Sequence, residues 1–139
     1  MALVLDTGPL YAAYDRRDAD HTACRRLIES TDEELLIPAP VIVEFDYLTQ
    51  SRKILQGPKI LLEDILDGAF NVISLTFTDY ERCRELVSQY SDFDIGFVDA
   101  AVLAVTERLN EPKLATLDHR HFHTLRPRHV NSLQLLPGI

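Results

Sequence analysis

Residues 2–8 read ALVLDTG. Four apolar residues in a row, with no polar alternation, describe a strand covered on both faces rather than one with a wet side. Ala2 to Leu5 is therefore expected to be a central parallel strand, with Asp6 at its carboxyl end. In open α/β sheets that edge borders the crevice where ligands bind. Gly8 and Pro9 fit a tight turn into a helix with Pro9 at its first position, which sets Asp6 against a helix N-terminus. Capping of that helix by Asp6 or Thr7 explains this stretch equally well when it is read alone. The rest of the chain has to decide.

Working outward, Tyr11 to Tyr14 continue the helix and Asp15 to Asp20 form a charged turn. Asp20 is placed to cap a second helix that runs to Glu29 with Ala23, Leu27 and Ile28 inward. Leu35 to Ile37 is a short second strand. Pro38 to Arg52 reads as a long helix, its prolines acceptable only in or just before the first turn. Within it Glu44 has Pro40, Val41, Tyr47 and Leu48 at the three- and four-residue spacings that share a helix face, so this acid lies in an apolar stripe. Asp46, above Thr49 and Gln50, is expected in solvent. Gly57 and Pro58 break the chain before a helix from Lys59 to Asp67, closed by Gly68.

Phe70 to Leu75 is the third strand. Thr78 followed by Glu81 reads as a capping box, giving a helix to Tyr90 with Cys83, Leu86, Val87 and Tyr90 as its core stripe. After a polar loop from Ser91 to Gly96, Val98 to Asn110 is an alanine-rich helix suited to close packing on a sheet. Asp99 repeats the oddity of Glu44, since its neighbours Ile95, Gly96, Val102 and Leu103 cannot pair with it; the helix dipole is the competing reason for an acid there. Lys113 to Leu117 is a fourth strand that ends, like the first, in an aspartate, Asp118, and Leu133 to Leu136 is a candidate fifth. Alternation of strands and helices makes a three-layer α/β/α domain with a central, mostly parallel sheet the economical architecture.

With 139 residues, the chain is expected to be one domain, 1–139, able to bury about two-thirds of its unfolded surface. Cys24 and Cys83 are far apart and in no metal or redox spacing, which suits a reducing cytosol. No signal-peptide pattern and no stretch of membrane-spanning length is present, so the expectation is a soluble cytoplasmic protein. The net charge of -8 argues against simple electrostatic binding of nucleic acid. All 22 acidic residues, however, lie at or before Asp118, whereas Arg120, Arg126, Arg128 and four histidines follow it. An acidic, metal-filled site with an anion-binding rim would produce that asymmetry, and so would a solvated tail.

Asp6 and Asp118 end strands, while Glu44 and Asp99 sit on apolar helix faces. Burying such carboxylates together is costly and raises their pKa values by mutual repulsion. No lysine or arginine stands beside them in the expected stripes, so a divalent cation is the natural counter-charge. Oxygen ligands favour Mg²⁺ or Mn²⁺ over zinc. Such a pocket serves phosphodiester hydrolysis, in which the ion activates water and stabilises the leaving oxygen and a carboxylate takes the proton. Thr116, two residues before Asp118 on the same side of the strand, could orient a water or phosphate oxygen, and Thr7 could do the same beside Asp6. Either is also an ordinary strand or capping residue.

The segments VLDTGPLYA around Asp6, PAPVIVEFDYL around Glu44, DIGFVDAAVLAVTERL around Asp99 and ATLDHRHF around Asp118 resemble, in order and spacing, the four signature blocks of PIN-domain nucleases in the form seen in VapC-type toxins. The resemblance covers nearly the whole chain; no single block is specific, but the four together are. It implies a PIN-like fold and a Mg²⁺- or Mn²⁺-dependent endoribonuclease that works as a homodimer and is inhibited by a small VapB-type antitoxin. It carries metal-site roles onto Asp6, Glu44, Asp99 and Asp118, with Thr116 as a helper. Asp94, at the head of the third block, has no secure counterpart; a fifth acid at the site or the cap of the Asp99 helix are its two readings, and the cap is the preferred one.

Rival acid-and-magnesium folds fit less well. A phosphoacceptor receiver domain wants paired acids after its first strand and a late lysine, and a haloacid-type phosphatase wants an aspartate where this chain has Gly8. A catalytically silent PIN-fold module that only binds RNA or protein has no need of four buried acids. His119, His121 and His123 alternate, as on one side of an extended segment, but nothing completes a tetrahedral zinc set; phosphate contact by Arg120, His121, Arg126 and Arg128 is the expected use, with Phe122 as anchor. Phe45, Tyr47, Ile60 and Leu61 exceed what one small core face requires and suggest a symmetric dimer.

Overall fold

The computed structural model describes residues 1–138; the last residue of the expected domain lies outside the described residues. Five strands alternate with helices. β1 (Ala2–Leu5) is followed by α1 (Thr7–Tyr14) and α2 (His21–Ser30), then β2 (Glu34–Pro38), α3 (Ala39–Ser51), α4 (Gly57–Leu66) and β3 (Asn71–Ile73). α5 (Phe77–Gln89), a 3₁₀ turn (Ser91–Phe93), α6 (Phe97–Arg108), β4 (Lys113–Ala115), α7 (His119–Thr124) and β5 (Gln134–Leu136) complete the chain.

The strand order is β3-β2-β1-β4-β5, and every pair is parallel. β1 is buried along its whole length, as the unbroken apolar run requires of a central strand. From β1 the chain first winds outward through β2 to β3, then returns to place β4 on the other side of β1. Right-handed crossovers then set α1 to α4 on one face and α5 to α7 on the other, and the packing of α1 on α2 and α3, and of α5 on α6, follows this division. The winding reverses between β1 and β4, so the carboxyl ends of these strands flank the topological switch point. Asp6 N donates to Ala115 O at 2.9 Å there, and Thr116 N donates to Leu136 O at 2.8 Å.

Several local expectations are corrected. α1 begins at Thr7, so Pro9 is its third residue rather than its first and Gly8 lies inside the helix. The glycine serves a close approach: a Cβ at position 8 would stand 3.3 Å from Leu117 Cβ. In α2 it is Cys24, not Ala23, that turns inward, packing on Ala12 and Ala13; Asp20 holds the cap position without a side-chain bond. The capping box of α5 is Thr76 with Asp79, not Thr78 with Glu81. Both pairs fit the motif, and Arg108 of α6 selects the earlier one by binding the Asp79 carboxylate at 3.0 Å. Asp94 does not cap α6, whose cap is Gly96 with no side-chain bond; Asp94 itself adopts a left-handed conformation with φ 56°. The segment after Asp118 is helical, not extended. Phe45 and Leu61 are core residues. Cys24 and Cys83 are buried free thiols, and no helix among the described residues is long and apolar enough to cross a membrane.

Candidate active site

Four elements converge at the switch point. Asp6 leaves β1 as the N-cap of α1, its carboxylate accepting from Thr7 N at 2.8 Å and from the Thr116 hydroxyl at 2.8 Å. It is only 5% exposed. Thr116 also accepts from Asp118 N at 3.0 Å, so one buried hydroxyl ties the two strand ends together. Asp118 caps α7, accepting from His121 N at 3.2 Å. Glu44 comes from the second turn of α3, and Asp99 from the first turn of α6. Asp6, Glu44, Asp99 and Asp118 line one cavity of about 510 Å³ together with Thr7, Gly8, Leu48 and Leu117.

The electrostatics follow from this packing. Burial pushes the Asp6 carboxyl up to about 7; its hydrogen bonds from Thr116 and Thr7 oppose the rise, and the charges of Asp99 and Glu44 add to it. Asp99 is pushed up to about 6, first by burial and then by Asp118, with His121 pulling the other way. Two carboxyls held well above their usual range mark a pocket that accommodates its own negative charge poorly.

The same lining fits a hard divalent cation. The donors are carboxylates, and the Thr7 hydroxyl beside them is buried without a hydrogen-bond partner. Carboxylate oxygens of Asp99 and Asp118 and a ring nitrogen of His121 lie within 4.8 Å of one another, close enough to share an ion.

His121 was expected on an anion-binding rim, but it stands inside this cluster. Its Nδ1 lies 2.7 Å from Asp118 Oδ2 and 3.4 Å from Asp99 Oδ2. The signal that finds it is the three-residue spacing from Asp118, which becomes a contact once the segment is helical. Arg120 is exposed on α7. Arg126 is exposed too, its backbone N–H bonded to Tyr90 Oη at 3.0 Å. Arg128 is placed elsewhere, paired with Glu85 while its N–H donates to Glu107.

Next to the acidic cavity runs an apolar groove of about 780 Å³ whose walls include Val43, Tyr47, Leu75, Tyr80 and Phe97. Tyr80 and Phe97 are stacked, their planes 3° apart. Glu44 lines both spaces.

The fold and the pocket define a parallel α/β protein with a carboxylate cluster, able to hold a metal ion, at the switch point of its sheet. More specifically, the chain belongs to the PIN-domain family, whose sequence model matches residues 3–126. It is 31% identical over 125 residues to Ribonuclease VapC26 of Mycobacterium tuberculosis, covering 90% of this chain and 93% of that relative. Among solved structures it resembles Mycobacterium tuberculosis VapC20, described as a Sarcin-Ricin loop cleaving toxin, with a TM-score of 0.74 at 21% identity over 81% of this chain and 87% of the other. It also resembles VapBC2 from Rickettsia felis bound to a DNA fragment from their promoter, with a TM-score of 0.68 at 17% identity and 97% of each chain covered.

Proposed function

We propose that this single-domain protein is a metal-dependent endoribonuclease toxin, acting in the cytoplasm and neutralised by a VapB-type antitoxin. The observation that carries the reading is the convergence of Asp6, Glu44, Asp99 and Asp118 on one cavity. The relative named as a ribonuclease supports the reaction class, and the VapBC neighbour supports a toxin–antitoxin setting.

In this reading the four acids would hold Mg²⁺ or Mn²⁺, and the bound ion would supply charge neutralisation for the scissile phosphate and a lowered pKa for the water that becomes the nucleophile. Each residue has a task that follows from its contacts. Thr116 orients Asp6, the most buried of the four acids, through its 2.8 Å bond. Asp118 is aligned by the N-terminal turn of α7. Asp99, partly exposed in the first turn of α6, is the carboxylate suited to accept a proton from the attacking water. Arg120 and Arg126 are exposed cations available to the phosphates on either side of the cut.

The antitoxin is assigned the mouth of this cavity, where a basic side chain can neutralise the acids in place of the ion. The homodimer interface is assigned to exposed apolar residues such as Tyr47 and Ile60, since Phe45 and Leu61 are committed to the core.

The test is RNA cleavage by the purified chain, with 5′ ends mapped after induced expression. Cleavage that EDTA abolishes and that Asp99→Asn removes, while circular dichroism stays native, is the expected result. Wild-type cleavage by Asp99→Asn would refute the catalytic assignment, and unaltered RNA affinity without cleavage in any metal would favour a binding module.

A further inference from the structure

The pocket is not chemically uniform. Around Asp6 the donors are oxygens, with its carboxylate held by Thr7 N and Thr116 Oγ1. Toward Asp118 the helix α7 introduces a nitrogen. Asp118 Oδ1 is engaged by His121 N at 3.2 Å, and Oδ2 shares a 2.7 Å hydrogen bond with His121 Nδ1, whose proton a bound ion would displace. The same Nδ1 lies 3.4 Å from Asp99 Oδ2. An octahedral ion with bonds of about 2.1 Å sets adjacent donors about 3 Å apart, and these two separations bracket that edge. One donor atom from each of the three side chains lies within 4.8 Å of the others, close enough to share an ion, and the unpartnered, buried Thr7 hydroxyl lies on the wall of the cavity that Asp99 and Asp118 line.

We infer that His121 Nδ1 is itself a metal ligand, and that with Asp99 and Asp118 it makes one end of the pocket a mixed nitrogen–oxygen site for a first-row transition ion rather than for Mg²⁺. The inference rests on the reading of the acids as metal ligands and goes beyond it in assigning a nitrogen. Mg²⁺ prefers oxygen donors and retains its waters, whereas imidazole binds first-row transition ions well. His119 and His123 do not share this role, for their rings face each other at 5.9 Å and neither belongs to the donor cluster.

Mn²⁺ is the probe. In pulsed electron paramagnetic resonance on the Mn²⁺-loaded full chain, a directly coupled imidazole ¹⁴N is expected. It should vanish in His121→Ala and persist in the double variant His119→Ala/His123→Ala. Calorimetry should show Mn²⁺ affinity falling roughly tenfold or more in His121→Ala, with a much smaller change for Mg²⁺. Bound Mn²⁺ with no nitrogen coupling in the wild-type protein, or an unchanged preference between the ions in His121→Ala, overturns the nitrogen ligand and leaves the carboxylate site standing. No binding of either ion to the wild-type protein overturns both.

Discussion

Thr116 and Asp6, 110 residues apart in the chain, meet across the β1–β4 pair with the threonine hydroxyl donating to Asp6 Oδ2 over 2.8 Å. Both are buried, so the bond has no water to replace it. In Thr116→Val the carboxylate loses the one side-chain donor that opposes its desolvation. Stability is expected to change by about 1 kcal/mol, while RNA cleavage falls roughly tenfold or more because the ligand is no longer oriented. Thr116→Ser should retain most activity. Equal cleavage by Thr116→Val and wild type in single-turnover assays would remove Thr116 from the machinery.

The raised carboxyls set a pH dependence for the metal-free protein. Asp6 goes from 3.8 to about 7 and Asp99 from 3.8 to about 6 on folding. Between those limits the folded state binds more protons than the unfolded one, so stability falls as pH rises, by up to about 1.4 kcal/mol per pH unit for each group in its window. Below about pH 4 neither group contributes, and above about pH 7 the penalty is complete. In EDTA the melting temperature should therefore drop between pH 5 and 7, and Asp6→Asn should flatten the slope. An Asp6→Asn profile parallel to wild type would show that Asp6 is not the source.

Metal should reverse that penalty. An ion bound only by the folded state stabilises by about 2.7 kcal/mol at a hundred times its dissociation constant. Mn²⁺ is thus expected to raise the melting temperature at pH 7.5, most in the pH range where Asp6 and Asp99 are ionised. Asp6→Asn should blunt the rise. If the variant responds to Mn²⁺ as the wild type does, Asp6 is not a ligand.

What could be read from the residues, and what could not, divides on physical lines. β1 was legible because an unbroken apolar run has one economical use, and Glu44 and Asp99 stood out because their helical neighbours are apolar. Their joining with Asp6 and Asp118 in one cavity rests on contacts no local pattern carries; the cost of leaving such carboxylates unpaired suggested it, and the four-block resemblance reinforced it. His121 was misplaced because alternation in HRHFH satisfies an extended period, whereas Asp118 caps a helix there and rotates His121 inward. Phe45 and Leu61 were counted in the apolar surplus offered to a dimer because α3 and α4 carry apolar residues on both faces, with Tyr47 at 70% exposure only two residues from fully buried Phe45. The capping box slipped by two residues because the deciding partner, Arg108, is 29 residues away.

The ion pair between α5 and α6 is structural, and it should separate cleanly from the site. Arg82 of α5 grips Glu107 of α6 with two bonds, 2.8 Å from Nε and 3.0 Å from Nη2, and the two side chains are only 10% and 9% exposed. Glu107 also accepts from Arg128 N at 2.8 Å, pinning the segment after α7. Glu107→Ala leaves a buried guanidinium with only Glu85 at 3.2 Å as partner. The expected cost is about 3 kcal/mol, roughly 10 °C in melting temperature for a chain of this size. Because none of these residues lines the acidic cavity, the Mn²⁺-induced rise in melting temperature should be as large in Glu107→Ala as in wild type. A variant that kept its stability and lost the metal response would reverse this division, making the α5–α6 ion pair part of the site and the four carboxylates insufficient to define it.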